Sequence, residues 1–195
     1  MRTEPLAPFL HGEYMAKPLN LIFKITDFTF SYKSVDFRFQ SEIPTGLHPG
    51  AFGVRRKHHI HEGVDLYCLD GEEVFNMLSG EVVYKGPFTG NDAGTPWWNN
   101  TECIMIKTES GVINYGEIIV DRHLNIGDFV TEGQRLGVVK QVLKTDKGRP
   151  LSMLHVELYD EQAIKPAMSW NINTPRPQFL LDPTLLLIQE CLSAS

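Results

Sequence analysis

From residue 19 onward, apolar side chains recur at every second position. Leu21, Phe23 and Ile25, then Phe28, Phe30 and Tyr32, then Val35, Phe37 and Phe39 are separated by polar or less apolar neighbours. Side chains on a strand point alternately to its two faces, so this period predicts β-strands, arranged as a meander, whose aromatic residues face a core. Residues 1–18 carry Pro5, Pro8 and Pro18 without any period and read as an irregular lead-in. The stretch 41–57 holds Pro44, Gly46, Pro49, Gly50 and Gly53. A connection so rich in turn formers predicts a boundary between an N-terminal β-strand extension, 1–45, and a second unit, 46–195.

Beyond that boundary, short apolar runs are cut by glycines. Val64–Cys68, Glu73–Met77, Glu81–Lys85, Cys103–Thr108 and Val112–Val120 read as strands, with breaks at Gly71, Gly80, Gly86 and Gly111. Phe129–Val130, Arg135–Val142 and Leu151–Leu158 continue the rhythm. The final element differs. Asp182 and Pro183 suit the N-cap and first turn of a helix, and Leu185, Ile188 and Leu192 follow at helical spacing. The class expected is mainly β, an antiparallel sheet with an N-terminal β-segment and a short C-terminal helix.

Composition narrows the function classes. A chain of 195 residues with 42% hydrophobic content is long enough to bury a core. Its net charge of -6 argues against a nucleic-acid partner, which needs a dense basic face. The basic cluster Arg55-Arg56-Lys57-His58-His59 reads as a solvated loop. Cys68, Cys103 and Cys191 are odd in number and irregularly spaced, which fits buried free thiols better than a disulfide framework. No apolar stretch is long enough to span a membrane, and residues 1–21 lack a signal-peptide core. The location expected of the chain as written is cytoplasmic, or secreted or periplasmic if a signal has been removed.

The candidate chemistry lies in His61-Glu62-Gly63-Val64-Asp65 and in Leu154-His155-Val156-Glu157. On neighbouring strands these stretches bring His61, Asp65 and His155 together, since positions i and i+4 share one side of a strand. Two histidines and a carboxylate suit zinc, with a fourth position open as in catalytic sites.

The surrounding motifs resemble those of the lysostaphin- and LytM-type zinc endopeptidases. The resemblance runs through His61-x-Gly63-Val64-Asp65, Gly71-x-x-Val74, Gly80-x-Val82, Tyr115, Gly127-Asp128-x-Val130-x-x-Gly133-Gln134-x-Leu136-Gly137 and Leu154-His155-Val156-Glu157, covering about residues 55–160. It implies an antiparallel LytM-type peptidase fold with a groove. It also implies Zn²⁺ held by His61, Asp65 and His155, which polarises a scissile carbonyl and acidifies water.

Two positions depart from that pattern. The family writes its last motif His-x-His, and Met153 stands where the first, non-ligand histidine belongs. The other non-ligand histidine follows a tyrosine by two residues, and here Tyr115 is followed by Glu117. Whether the chain is an enzyme is therefore open. One expectation is a degenerate peptidase that binds a peptide, a peptidoglycan fragment or a protein partner, as the family's leukocyte cell-derived chemotaxin keeps its zinc ligands and binds rather than cuts. The other is an active endopeptidase in which Glu117 is the general base and Tyr115 holds the oxyanion. Trp97 and Trp98, adjacent in a loop rich in Gly, Pro and Asn, are candidate substrate-binding residues. The aromatic N-terminal strands suggest pairing between two copies of the chain.

Overall fold

A computed structural model describes residues 16–27, 35–146, 150–167 and 169–192. The strands are β1 (Ile22–Thr26), β2 (Gln40–Pro44), β3 (Val64–Tyr67), β4 (Glu73–Phe75), β5 (Gly80–Thr89), β6 (Thr101–Thr108), β7 (Gly111–Val120), β8 (Phe129–Val130), β9 (Arg135–Val139), β10 (Met153–Tyr159) and β11 (Leu180–Leu181), followed by helix α1 (Thr184–Leu192). The mainly β, antiparallel class with a short C-terminal helix is what the alternation predicts. The principal sheet has nine strands in the path β11-β10-β7-β6-β5-β8, with β3 joined to β10, β9 to β7 and β4 to β9.

β10 is covered on both faces and lies between β7 on one edge and β3 and β11 on the other. All seven of its residues are buried. Leu154, Val156 and Leu158 enter the main core, while His155 and Glu157 point the other way into a polar interior. One edge of β10 pairs with β3, the other with β7.

Among the described residues, β1 and β2 pair in parallel as a separate two-stranded sheet. They nevertheless share the main core: Leu19, Leu21, Phe23 and Ile43 are all buried in it, and Leu19 bridges Val74 of β4. Two sequence expectations change here. Ile25 is 50% exposed although it keeps the period of Leu21 and Phe23. Residues 37–39 form a turn, so the strand expected at 35–39 begins at Gln40 instead. The alternation at Phe28, Phe30 and Tyr32 lies outside the described residues.

One further strand boundary shifts. β5 does not stop at Lys85 but continues through Gly86 and Pro87 to Thr89, with register irregularities that absorb the proline. Asp182 does cap α1, its Oδ1 accepting from the Thr184 amide at 2.9 Å. The helix, however, buries Leu186, Leu187, Glu190 and Cys191, leaving Leu185 75% exposed. Ile188 and Leu192 are half-buried and pack against the core at the expected spacing, and Leu185 alone of the three faces out.

Because Phe23 lies in the main core, Phe23→Ala is expected to cost about 3–5 kcal/mol within one cooperative unfolding transition in a denaturant titration. A separate early transition for the N-terminal segment is the contrary result.

Candidate metal centre

The centre is built where β3 and β10 lie side by side. His155 stands directly opposite Asp65 in the β3–β10 pair and opposite Gly116 in the β7–β10 pair. His61 precedes β3 rather than lying on it, and its ring still reaches the same point. His61 Nε2 and His155 Nδ1 are 3.3 Å apart, and each lies close to Asp65 Oδ1, at 3.0 and 2.9 Å. All three residues are buried.

These three separations test the fit of a cation. For zinc bonds of about 2.0–2.1 Å, tetrahedral geometry sets ligand atoms about 3.3–3.4 Å apart. The triangle observed is of that size, drawn in slightly on the Asp65 side. Its atoms are also the correct ones, because the opposite atom of each side chain is engaged elsewhere. His61 Nδ1 lies 2.9 Å from the Ala51 carbonyl, His155 Nε2 lies 3.2 Å from Glu157 Oε1, and Asp65 Oδ2 accepts from the Arg56 guanidinium. These outer bonds favour, in each neutral imidazole, the tautomer whose lone pair points inward.

One turn supplies much of that support. The Pro49 carbonyl accepts from Arg56, the Gly50 carbonyl accepts from the Asp65 amide, and the Ala51 carbonyl meets His61. Three consecutive carbonyls thus hold three residues of the centre. On the other side, Glu157 accepts from Asn114 Nδ2 at 2.6 Å and from Tyr159 Oη at 2.7 Å, so it is itself fixed. Gly63 is required by space: a Cβ there would strike the Val156 carbonyl and the His155 ring. Gly116 leaves room for Phe88, whose ring lies 5.4 Å from that of His155.

Electrostatics follow from burial and crowding. Desolvation lowers the His61 pKa to about 4, opposed by Asp65, and leaves this imidazole neutral. Burial works against ionised Asp65 as well, but His61, Arg56 and the His155 hydrogen bond outweigh it and hold the carboxyl well below its usual range. For His155 burial is outweighed in the opposite sense: the hydrogen bonds to Asp65 and Glu157 raise its pKa well above the ordinary value. A cation entering the triangle displaces that proton, so binding weakens as pH falls.

Glu117 has no such support. Along the same edge β7 pairs with β10 as far as Gly116 and with β9 from Ile118. Glu117 lies at this change of partner, in a register irregularity against β6, with φ of 63°. A non-glycine residue in the left-handed region is uncommon and costs on the order of 1–3 kcal/mol. Its Oε2 is sealed from solvent and has no hydrogen-bond partner. Desolvation, reinforced by Asp65, pushes its pKa up to about 8 against the attraction of His155 and Arg56. The ligand-spaced cluster comprises His61, Asp65 and His155 without it.

The remaining sequence candidates divide. Tyr115 does not reach the centre and is not placed to hold an oxyanion. It lies on the core face of β7, where its hydroxyl accepts from the Met77 amide at 2.9 Å and donates to Asn76 Oδ1 at 3.2 Å. Strand alternation gives the reason: its neighbours Asn114 and Gly116 take the face toward β10's polar side. Met153 packs with Tyr67 and Val142 and with half-buried Phe37, Trp98 and Leu143, forming an apolar cluster two residues from His155. Trp98 is anchored in that cluster, and Trp97 is 62% exposed with its ring edge-on to Trp98 at 6.0 Å. Arg56, read from sequence as part of a solvated loop, is instead inside the centre. Its signal was only a charge nine residues before Asp65. All three cysteines are free and buried.

The fold and centre together define an antiparallel β protein with a candidate metal site. No protein-family model matches the sequence, and no curated protein does. Among solved structures, the chain is similar to a protein named as an M23 peptidase from Pseudomonas aeruginosa, with 14% identity, covering 95% of this chain and 54% of that one, at a TM-score of 0.46. The chain thus spans about half the length of that protein. It is also similar to the catalytic domain of the antimicrobial peptidase lysostaphin from Staphylococcus simulans, with 20% identity over 71% of this chain and 88% of that one, at 0.46. A third likeness is to the catalytic domain of the prophage-encoded M23 protein EnpA from Enterococcus faecalis, with 21% identity over 64% and 86%, at 0.45. No helix among the described residues is long and apolar enough to cross a membrane.

Two outcomes are expected. Gly63→Ala should weaken zinc binding by roughly 10–100-fold, read by competition with a chromophoric chelator. For Glu117, the native carboxyl retains its proton between pH 4.5 and about 8 while the unfolded chain has lost it. Stability therefore falls as pH rises through that interval. With a chelator present, Glu117→Gln should gain on the order of a few kcal/mol relative to the unsubstituted chain at pH 8.5 and little at pH 4, as measured by denaturant titrations at both values.

Proposed function

We propose that this chain is a metal-dependent hydrolase of peptide bonds, in which His61 Nε2, Asp65 Oδ1 and His155 Nδ1 hold zinc and Glu117 is the general base. The observation that carries this reading is Glu117 itself. A buried carboxylate oxygen without a partner, on a residue in strained backbone, stabilises nothing in the fold. Beside three inward-facing ligand atoms it has a chemical use.

When bound, zinc supplies polarisation of a carbonyl and acidification of water. The residues of the chain do the rest. His61 presents a neutral lone pair because the Ala51 carbonyl holds its outer nitrogen, and His155 does so once its second proton has left, with Glu157 holding the other nitrogen. Glu117 Oε2 takes the proton of the attacking water and returns it to the leaving amine. A pKa near 8 suits a group that must both accept and release a proton near neutrality. Arg56, which faces Asp65 and Glu117, favours the ionised form of each. The peptide class comes from the motif resemblance, a family-level analogy, and makes peptidoglycan-type peptides the first substrates to assay. Trp97, exposed beside the anchored Trp98, is the surface on which such a ligand would stack.

Met153 favours a second reading, binding without hydrolysis. It puts a thioether where the resembled family has a proton-carrying histidine, and its apolar cluster offers a wall for a peptide or protein ligand.

Glu117→Gln separates the two. Hydrolysis predicts a fall in kcat of roughly 10²–10⁴-fold with one zinc per chain retained by elemental mass spectrometry. Full activity in that variant removes Glu117 from the mechanism. A zinc-loaded chain that cuts no peptide, but whose ligand binding survives Glu117→Gln and weakens in Trp98→Ala, supports the second reading.

A further inference from the structure

We infer that Arg56 is a positioning residue that restricts Asp65 to one donor oxygen, keeping a cation at this centre four-coordinate with one position left for a substrate or water. The inference rests on the metal-binding reading above and adds to it the residue that limits Asp65 to one donor. A carboxylate can offer a cation one oxygen or two, and the choice is decided by what competes for the second. In Asp65 the two oxygens have separate surroundings. Oδ1 faces both imidazoles, at 3.0 and 2.9 Å, and Oδ2 faces the Arg56 guanidinium.

Arg56 is itself held in place. Its Nε and Nη2 both donate to the Pro49 carbonyl, at 3.2 and 2.8 Å. The next carbonyl, that of Gly50, accepts from the Asp65 amide at 2.9 Å. One turn therefore fixes both the guanidinium and the backbone of the aspartate it binds, so the carboxylate cannot rotate toward the triangle without breaking a charge-assisted bond. Only 27% of the Arg56 side chain is exposed, which limits competition from solvent. Arginine suits the task because its rigid fork grips two acceptors at once and stays charged at every working pH.

A merely structural role, in which Arg56 ties the loop after Val54 to the turn at Pro49, predicts altered stability and no change in coordination. Cobalt(II) in place of zinc distinguishes the two, since four-coordinate tetrahedral cobalt absorbs visible light far more strongly than five-coordinate cobalt and geometry is diagnostic of the ligand set. The full chain loaded with one cobalt is expected to show the intense four-coordinate band. Arg56→Ala is expected to lose that band while still binding one cobalt. An unchanged intense band in Arg56→Ala, or a weak five-coordinate spectrum in the unsubstituted chain, overturns the inference. Because Arg56→Ala also forfeits the Pro49 bonds, the unsubstituted chain is tested in parallel by infrared difference spectra, zinc-loaded minus metal-free, with ¹³C-carboxyl aspartate. A stretching separation typical of a bidentate carboxylate overturns the inference without any substitution, and a monodentate separation supports it. Failure of the unsubstituted chain to take up cobalt or zinc removes the metal reading itself, and is recognised before Arg56 is altered.

Discussion

The centre depends on one register. His155 lies opposite Asp65 across one edge of β10 and opposite Gly116 across the other. Side chains alternate with a period of two, so a slip by one residue would turn His155 into the apolar core and bring Val156 to the polar side. Seven buried residues on β10 and its hydrogen bonding on both edges make such a slip costly. The apolar face that stabilises the sheet thereby also fixes the position of the imidazole on the other face. Gly63 and Gly116 have the complementary part, since each leaves space that a side chain would take from His155 or from the Phe88 ring beside it.

Glu117 illustrates the opposite situation, a residue placed by a break in regularity. β7 has to leave β10 and join β9 within two residues, and the irregularity this creates turns Glu117 away from the core face that alternation would have it share with Tyr115. Backbone strain, burial and a partnerless oxygen then converge on one side chain. Each alone is tolerated in many proteins. Together, beside a ligand-spaced triangle, they are unfavourable terms that the remainder of the fold must offset.

Most of the strand positions were legible because alternation and glycine breaks are local signals. The three ligand candidates were legible for a different reason: their residue types and flanking motifs are uncommon in combination, although His61 turned out to precede β3 rather than extend it. What could not be read depended on long-range geometry. Tyr115 and Glu117 are two positions apart, and strict alternation would put them on one face; the positive φ at Glu117, imposed by a change of partner strand, separates them. Arg56 looked like solvent-exposed charge because nothing local reveals that the turn at Pro49–Ala51 folds back against it.

The distance in sequence between the two halves of the centre has a kinetic side. Asp65 and His155 are separated by 90 residues, and the β3–β10 and β7–β10 pairings both wait for the later strand. Contacts so far apart in the chain close slowly, since their loop entropy must be met before any pairing energy returns. Until β10 arrives, His61 and Asp65 have no partner histidine, and the edges of β3 and β7 that it will cover remain open to association with other chains. The metal-ligand triangle thus cannot close until β10 has paired with β3.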